Sequence, residues 1–434
     1  MSAIFEEIIG DFQERDLPDL TLRDAELAGL QGKVDTLIGM RRSGKSWRLF
    51  QAMRALLHEG VPKPCLLYIN FDDERLYPLS SGDLGRIPDT FYRLFPENKN
   101  RRCHFFLDEI QNVDGWERFV RRLLDTEDVQ LTLTGSSAKL LSREIATTLR
   151  GRSLTAEIFP FSFAEALRHQ GIDPRLGETI GSKRRAQLAN RLWAYMETGG
   201  FPEVQGVESH HRIAILQEYV DVVVLRDVVE RHGIGNLMPL RQLIRRLLSA
   251  PACAFSINRF YNDLKSQGIA CGKNSLHEYL AHLEDAYLVQ TVFIDARSER
   301  QRQVNPRKVY PIDTGLAQAF HHGMDMDRGR LLETFVFLDL RRRGLEVAWL
   351  RTAQGYEVDF VARQTNTEPQ LIQVSESLAD AKTRERELRA LRAAMAERKR
   401  KRGVVVTLNE AERLRTAEGE IEIVPAWQWL LRER

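Results

Sequence analysis

GMRRSGKS, residues 39–46, fits the pattern G-x-x-x-x-G-K-[ST] at every fixed position. It follows an apolar run at Val34–Ile38 and precedes a helical stretch from about Lys45 to Glu59. Glycines in such a loop let the backbone N–H groups turn inward, and the following helix directs its positive end at the same point. The sequence therefore predicts a strand, a phosphate-binding loop and a helix, with ATP as the ligand.

Each position of the loop has an expected role. Lys45 is predicted to reach the β- and γ-phosphates, and Ser46 to bind Mg²⁺. The remaining residues predicted to line the nucleotide are Gly39, Arg41, Arg42, Ser43, Gly44 and Trp47.

An apolar run ending in two acids, CHFFLDE, occupies residues 103–109. Asp108 is predicted to hold the water shell of the magnesium ion, and Glu109 to polarise the attacking water as a general base. The alternative is a strand that merely ends in surface acids. Because the run lies downstream of a phosphate-binding loop at ordinary spacing, the sequence favours the catalytic interpretation.

Two further features bear on hydrolysis. Thr134 and Ser136 lie at the tip of a strand-like segment and are predicted to sense the γ-phosphate, although turn chemistry alone also favours such residues. Arg152, with Arg150 as the second choice, is predicted to reach the γ-phosphate of a neighbouring subunit, although surface arginines are common.

Segment patterns predict the architecture. Apolar strands at Val34–Ile38, Cys65–Phe71, His104–Leu107 and Gln130–Thr134 alternate with helices, which indicates an α/β fold with a mainly parallel sheet. Helical spacing follows Pro160, and two helices with a β-hairpin after Ser256 outline a winged helix-turn-helix. The predicted domains are a P-loop core (1–165), a helical lid or connector (166–250), a winged helix (251–325) and a C-terminal α/β domain (326–434).

Composition narrows the class of protein. The chain has 434 residues, 43% of them hydrophobic, and a formal charge of +2, so it is neither disordered nor strongly basic overall. Its four cysteines form no C-x-x-C pair, which argues against a zinc site. Without a signal pattern or a membrane-length apolar run, we expect a soluble, cytoplasmic protein.

These motifs together resemble a known family. GMRRSGKS, FFLDEI, LTGSSAKLLS, LRGRS and IFPFSFAEAL, followed by METGGFPEV, YPIDTGLAQAF, GRLLETFVFLDL and GYEVDFV, look like the prokaryotic AAA-type ATPases that end in the domain of unknown function 4143. The resemblance covers nearly the whole chain. It implies an AAA-type core, a helical region, a winged helix and a C-terminal domain related to restriction-endonuclease-like nucleases. It also implies a homo-oligomer, with a hexameric ring as the expectation.

The nuclease-like domain departs from the pattern of active nucleases. Such enzymes use acids on the second and third strands and a lysine two residues after the second acid. Asp359 supplies the first acid, but Gln373 and Ser375 stand where Glu and Lys are expected. Lys382 and Glu333 are predicted to contribute to a vestigial site. The sequence favours a catalytically silent domain, with retained nuclease activity as the alternative.

Basic residues suggest DNA, duplex or branched, as a partner. They crowd Ala379–Arg402, and a predicted wing carries Arg297, Arg300, Arg302, Arg307 and Lys308. The alternative to DNA binding is that these residues form a solvent-exposed helix face without a partner. Further contacts are expected from Arg259, Lys265, Lys273 and Asn274. The resulting hypothesis is an ATP-driven machine that remodels or migrates branched DNA; the alternatives are an ATP-gated regulatory switch with slow turnover and an ATP-dependent nuclease.

Overall fold

The computed structural model describes residues 1–136, 151–177, 180–296, 298–304, 306–321, 323 and 326–432. The chain forms two compact units. The first comprises Met1–Phe159 with Asp285–Tyr287, and the second comprises Pro160–Glu284 with Leu288–Arg434. Within the described ranges, no helix combines the length and the apolar character needed to cross a membrane.

The first unit is built on a five-stranded sheet in the order β2-β3-β4-β1-β5, and every neighbouring pair is parallel. The predicted α/β fold with a parallel sheet is therefore confirmed. The strands are β1 Val34–Ile38, β2 Leu66–Asn70, β3 Cys103–Asp108, β4 Val129–Gly135 and β5 Ser153–Glu157. The α-helices are α1 Ser2–Glu14, α2 Lys45–His58, α3 Arg86–Leu94 and α4 Trp116–Thr126.

Packing of α2 against the sheet sets the position of the phosphate-binding loop. All five residues of β1 are buried, and Leu37 belongs to one apolar cluster with Leu49 and Met53 of α2. Burial of such side chains is the main stabilising contribution to an α/β core. The loop between β1 and α2 is thus held at the carboxyl end of the sheet, where ligands of such folds bind.

The second unit begins with helices and continues into a small antiparallel sheet, β6-β8-β7. A helix, a strand, two helices, a strand, a short helix and a strand follow each other here, so the segment Glu299–Val304 separates the two strands predicted to form a hairpin. The winged helix-turn-helix stays a prediction. The helices are α5 Phe163–His169, α6 Ser182–Thr198, α7 Ser209–Val223 with a π-helix Val224–Glu230, α8 Leu237–Leu248, α9 Ile257–Ser266, α10 Lys273–Asp285, α11 Glu299–Val304 and α12 Thr314–Phe320, and the strands are β6 Cys253–Phe255, β7 Val289–Val292 and β8 Arg307–Pro311.

The C-terminal part of the second unit is a six-stranded mixed sheet in the order β13-β14-β12-β11-β10-β9. Leu391 and Met395 of its long helix share an apolar cluster with Leu371 and Val405 of the sheet. The predicted succession of helix, three strands, helix and strand is present, followed by two strands that the pattern did not predict. The elements are α13 Arg328–Arg342, β9 Glu346–Arg351, β10 Glu357–Arg363, β11 Gln370–Val374, α14 Ala381–Arg398, β12 Arg402–Thr407, β13 Glu412–Arg415, β14 Glu420–Pro425 and α15 Ala426–Leu430.

Candidate nucleotide-binding site

The backbone of the phosphate-binding loop demands glycine at two positions. Gly39 has a φ of 153°, and a Cβ built on it would lie 2.2 Å from the carbonyl oxygen of Ile158. Gly44, immediately before α2, has a φ of 98°. Side chains at either position would be strained, because L-residues rarely adopt these conformations. The two fixed glycines of the motif therefore have a steric cause in the fold itself.

Lys45 lies folded over this loop. Its Nζ is 3.2 Å from the carbonyl oxygen of Gly39, 3.4 Å from that of Met40 and 3.2 Å from Oε1 of Glu109. The lysine is only 4% exposed. A buried ammonium needs anionic or carbonyl partners, and here it is held where the oxygens of a bound phosphate would contact it.

Ser43 supports the assignment of a ligand site. Its side chain is fully buried, yet its Oγ has no hydrogen-bond partner. A buried hydroxyl without a partner costs free energy, and such groups usually mark a place where a ligand or water completes the bonding. The loop thus offers a hydroxyl, in addition to its backbone, to an incoming phosphate.

Asp108, at the end of β3, is surrounded by hydroxyl groups. Tyr68 donates to its Oδ2 over 2.9 Å, and Thr134 and Ser46 also hydrogen-bond to the carboxylate. Burial raises the pKa of Asp108, and the bonds from Ser46, Thr134 and Tyr68 offset part of that rise. Contact between Ser46 and Asp108 brings together a hydroxyl and a carboxylate, which are oxygen ligands of the kind Mg²⁺ takes. The side chains present therefore fit a magnesium–nucleotide complex.

Glu109 adopts an unusual backbone conformation next to this pair. Its φ is 53°, and its N–H donates to Oγ1 of Thr134 over 2.9 Å. Burial alone would raise the pKa of the Glu109 carboxyl, but Lys45, Gln111 and Arg41 hold that pKa below its usual value. The carboxylate is therefore ionised at neutral pH, as a general base must be.

Gln111 is a site residue that the sequence reasoning missed. Its amide nitrogen donates to Oε2 of Glu109 over 2.5 Å, while Lys45 contacts the other oxygen. The two contacts fix the carboxylate from both sides. The only available signal was an amide two residues beyond Glu109, which is a weak pattern without the structure.

Thr134 acts on both acids at once. It lies on β4, which is hydrogen-bonded to β1 on one side and to β3 on the other. Its hydroxyl bonds the Asp108 carboxylate and accepts from the N–H of Glu109. The structure therefore places Thr134 between the loop and the two acids; sensing of the γ-phosphate by Thr134 or by the buried Ser136 stays a prediction.

The other residues predicted to line the nucleotide lie around the rim of the loop. The guanidinium of Arg41 is 4.0 Å from the carboxylate of Asp72. Arg42 is exposed with a φ of 66°. Trp47 is 45% exposed, and its ring lies edge-on to that of Phe50 at 6.1 Å between centroids. An exposed indole beside the loop is available to stack on a nucleotide base. Contact between Trp47 and the nucleotide stays a prediction.

Arg152 lies at the opposite end of the sheet from the loop. It precedes β5, whose first residue, Ser153, pairs with Val34 at the start of β1. Five strand residues span about 17 Å, so Arg152 cannot reach the phosphates of its own chain. Its guanidinium contacts Asp125 at 2.6 Å on the surface. A role in a neighbouring subunit's site stays a prediction, and Arg150 lies outside the described residues.

The predicted vestigial nuclease site is assembled differently from expectation. Glu333 and Asp359 do come together, but the cation between them is Lys308 of β8, with Nζ–oxygen distances of 2.9 and 3.0 Å. Lys382 is exposed at the start of α14, and Gln373 bonds to Glu387 instead. Lys308 is 4% exposed, so its assignment to a DNA-contacting wing was wrong.

The basic helix α14 is largely neutralised by the chain itself. Carboxylates on neighbouring segments pair with three of its five arginines, which is the outcome expected of a charged helix face without a partner. The pairs are Arg384–Glu412 (2.7 Å), Arg392–Glu418 (2.9 Å), Arg398–Asp295 (3.0 Å) and, just beyond the helix, Arg400–Glu368 (3.2 Å). The helix is therefore a weaker indicator of DNA binding than its composition suggested.

Comparison with known families covers most of the chain. An AAA domain matches residues 31–167, a domain of unknown function (DUF8612) residues 189–327, and a second such domain (DUF4143) residues 328–429. An uncharacterized protein of Methanocaldococcus jannaschii is 35% identical over 99% of this chain and 95% of its own. One from Haemophilus influenzae is 29% identical over 77% of this chain and 80% of its own.

Solved structures are more distant. The Walker-type ATPase of Pyrococcus abyssi is 14% identical, with a TM-score of 0.41, over 74% of this chain and 94% of that one. The ORC1 protein of Aeropyrum pernix in complex with DNA is 13% identical, with a TM-score of 0.31, over 73% and 91%. The match to the Methanocaldococcus protein and the matches to the AAA domain and to DUF4143 show the family. The chain belongs to the prokaryotic AAA-type P-loop ATPases that carry the C-terminal domain of unknown function 4143.

Proposed function

We propose that the chain binds ATP with magnesium, hydrolyses it, and uses the cycle to act on DNA. The observation that supports the chemistry is the convergence of four groups on one loop. They are the ammonium of Lys45, the hydroxyl–carboxylate pair of Ser46 and Asp108, and the ionised Glu109. Lys45 is paired with Glu109 and Ser46 with Asp108, so the site is largely preorganised.

The geometry gives each side chain a task. A magnesium ion would supply positive charge that offsets the negative charge developing on the phosphate oxygens during hydrolysis. Ser46 and Asp108 would hold it, and Lys45 would transfer its contact from Oε1 of Glu109 to a phosphate oxygen. Glu109, still fixed through Oε2 by Gln111, would then accept the proton of the attacking water.

The action on DNA is supported by the winged-helix segment. Arg259 and Lys265 on α9 and Lys273 and Asn274 at the start of α10 are all exposed. Exposed basic residues on a helix pair of this kind contact phosphates and set the position of the protein on a duplex. A nuclease-like domain that lacks the acid and lysine of active enzymes suits remodelling or migration of branched DNA better than cleavage.

The chemistry is tested by two variants and a surface control. Lys45→Ala should abolish ATP binding, measured by fluorescence titration with a labelled nucleotide. Glu109→Gln should bind ATP normally but hydrolyse it at least about 100-fold more slowly. Lys99→Ala, which breaks an exposed ion pair to Glu127 at 3.0 Å, should leave both properties unchanged. Equal nucleotide affinity in the wild type and Lys45→Ala would refute the site.

The role of DNA is tested separately with steady-state turnover. We expect branched or duplex DNA to stimulate ATP hydrolysis, and Lys273→Ala to reduce the stimulation without changing turnover in the absence of DNA. Slow turnover that is indifferent to DNA would instead indicate an ATP-gated regulatory switch. Cleavage of DNA that disappears in Asp359→Ala would indicate a nuclease.

A further inference from the structure

A buried ammonium from the small antiparallel sheet lies among three carboxylates of the C-terminal domain. Nζ of Lys308 lies 2.9 Å from Oε1 of Glu333, 2.9 Å from Oε1 of Glu357 and 3.0 Å from Oδ1 of Asp359. The lysine side chain is 4% exposed, whereas those of Glu333 and Asp359 are 13% and 11% exposed. The side chain of Glu357 is 43% exposed, so the interior part of the set is the ammonium with Glu333 and Asp359.

Further hydrogen bonds hold these acids in place. The hydroxyl of the fully buried Tyr310 donates to Oε1 of Glu333 over 2.7 Å. The N–H of Val374 donates to Oδ2 of Asp359 over 2.9 Å. Removing one partner of such a buried set leaves uncompensated charge, which is strongly destabilising.

A divalent metal, which the nuclease-like fold implies, does not fit this arrangement. Mg²⁺ requires oxygen ligands at about 2.0–2.1 Å, whereas three carboxylates here surround an ammonium at hydrogen-bonding distances. Within the described part of the chain, one set of three or more Asp, Glu, His or Cys side chains lies close enough together to hold a metal ion. It is the exposed set Glu208, His210 and His211. The amide nitrogen of Gln373 donates to Glu387 over 2.6 Å and its oxygen accepts from the backbone N–H of Asp359 over 3.4 Å, so both ends of the amide are engaged.

We infer that Lys308 is a tethered counter-ion that takes the place of a metal in this domain. The ammonium comes from β8 of the small antiparallel sheet, while Glu333 belongs to α13, and Glu357 and Asp359 to β10. One positive charge therefore joins three elements and allows Glu333 and Asp359 to remain largely buried without a divalent ion. This role does not depend on the proposed ATPase activity.

The inference predicts that removing the ammonium creates a cation site. Lys308→Met should lower the thermal unfolding midpoint by roughly 10 °C without metal. Tb³⁺ should then bind this variant, raise its midpoint, and give luminescence sensitised by the adjacent Tyr310. The wild type, titrated in parallel, reports any Tb³⁺ bound elsewhere on the chain, and Lys308→Met/Asp359→Asn should show only that background.

A variant that also neutralises the two buried acids covers the case in which Lys308→Met does not fold. Lys308→Met/Glu333→Gln/Asp359→Asn removes the lysine together with two of its acids, so it should fold if the loss was electrostatic. Failure of this triple variant to fold would overturn the inference, because packing rather than charge would then explain the lysine. The inference would also be overturned if the wild type bound Tb³⁺ with Tyr310-sensitised luminescence equal to that of Lys308→Met.

Discussion

Gly39 shows how one residue limits what the phosphate-binding loop accepts. A methyl group at this position would lie 2.2 Å from the carbonyl oxygen of Ile158, which is backbone and cannot rotate away. We expect Gly39→Ala to lower the free energy of unfolding by about 3 kcal/mol and to weaken ATP binding, because relief of the clash must move the loop. Urea unfolding and nucleotide titration measure the two effects.

A second glycine provides the control for that experiment. Gly10 lies inside α1, and a Cβ there would have nothing within 4 Å. Gly10→Ala should therefore be neutral or stabilise the protein by about 0.5–1 kcal/mol, and should leave nucleotide affinity unchanged. If Gly39→Ala behaved like Gly10→Ala, the steric account of the loop would be wrong.

Single residues also show which parts of the candidate sites a sequence can predict and which it cannot. The loop lysine and the two acids were predictable, because motif and spacing reflect local backbone requirements. Lys308 was assigned to an exposed wing because it stands in a basic, polar stretch. Its acidic partners lie 25 to 51 residues further along the chain, and only the tertiary fold brings them together.

At the scale of elements, strands with long apolar runs were predicted well and others were missed. β1 to β4 follow the predicted segments within one or two residues. β5, with the sequence SLTAE, carries too few apolar residues to be distinguished from a loop, and its pairing with β1 defines it. The helix α1 went unpredicted although Phe5, Ile8, Ile9 and Phe12 are buried at helical spacing.

A buried carboxylate joins two turns in the second unit. Asp313, at the start of α12, accepts from the N–H of Gly200 over 2.6 Å and from that of Gly315 over 2.9 Å. A Cβ on Gly199 would lie 2.1 Å from Oδ1 of Asp313, so the turn after α6 can close on the carboxylate only with glycine. The two glycines are visible in the motif METGGFPEV, but their partner Asp313 is more than one hundred residues further along the chain.

This carboxylate predicts a pH dependence of stability. Burial raises the pKa of Asp313 to about 6, although the two N–H donors offset part of the rise. Because the pKa is lower in the unfolded chain, the group's contribution to stability is fully present below about pH 4 and is lost as pH rises through about 6. We expect a loss of roughly 3 kcal/mol.

Comparison with Asp313→Asn isolates this contribution. The amide does not titrate, so the difference in unfolding free energy between the wild type and the variant should fall between about pH 4 and pH 7. Urea denaturation at several pH values measures it. A difference that stays flat, or increases, over this range would contradict the predicted direction of the pKa shift.

At the scale of the whole molecule, the position of Arg152 requires a partner subunit if it assists hydrolysis. It lies at the end of the sheet remote from its own loop and is paired with Asp125. We expect Arg152→Ala to bind ATP normally and hydrolyse it slowly, because a guanidinium that reaches the γ-phosphate acts mainly in the transition state. Asp125→Ala breaks the same ion pair but keeps the arginine, so it should retain activity.

Mixing two impaired variants then tests whether sites are shared between subunits. In a closed ring assembled from equal amounts of Lys45→Ala and Arg152→Ala chains, about one interface in four combines an intact loop with an intact arginine. Turnover in the mixture should therefore recover to about a quarter of the wild-type value, whereas Lys45→Ala alone stays inactive and Arg152→Ala alone stays slow. Without recovery in mixtures that have demonstrably exchanged subunits, Arg152 does not act between chains. The ion pair with Asp125 would then be its only demonstrated role.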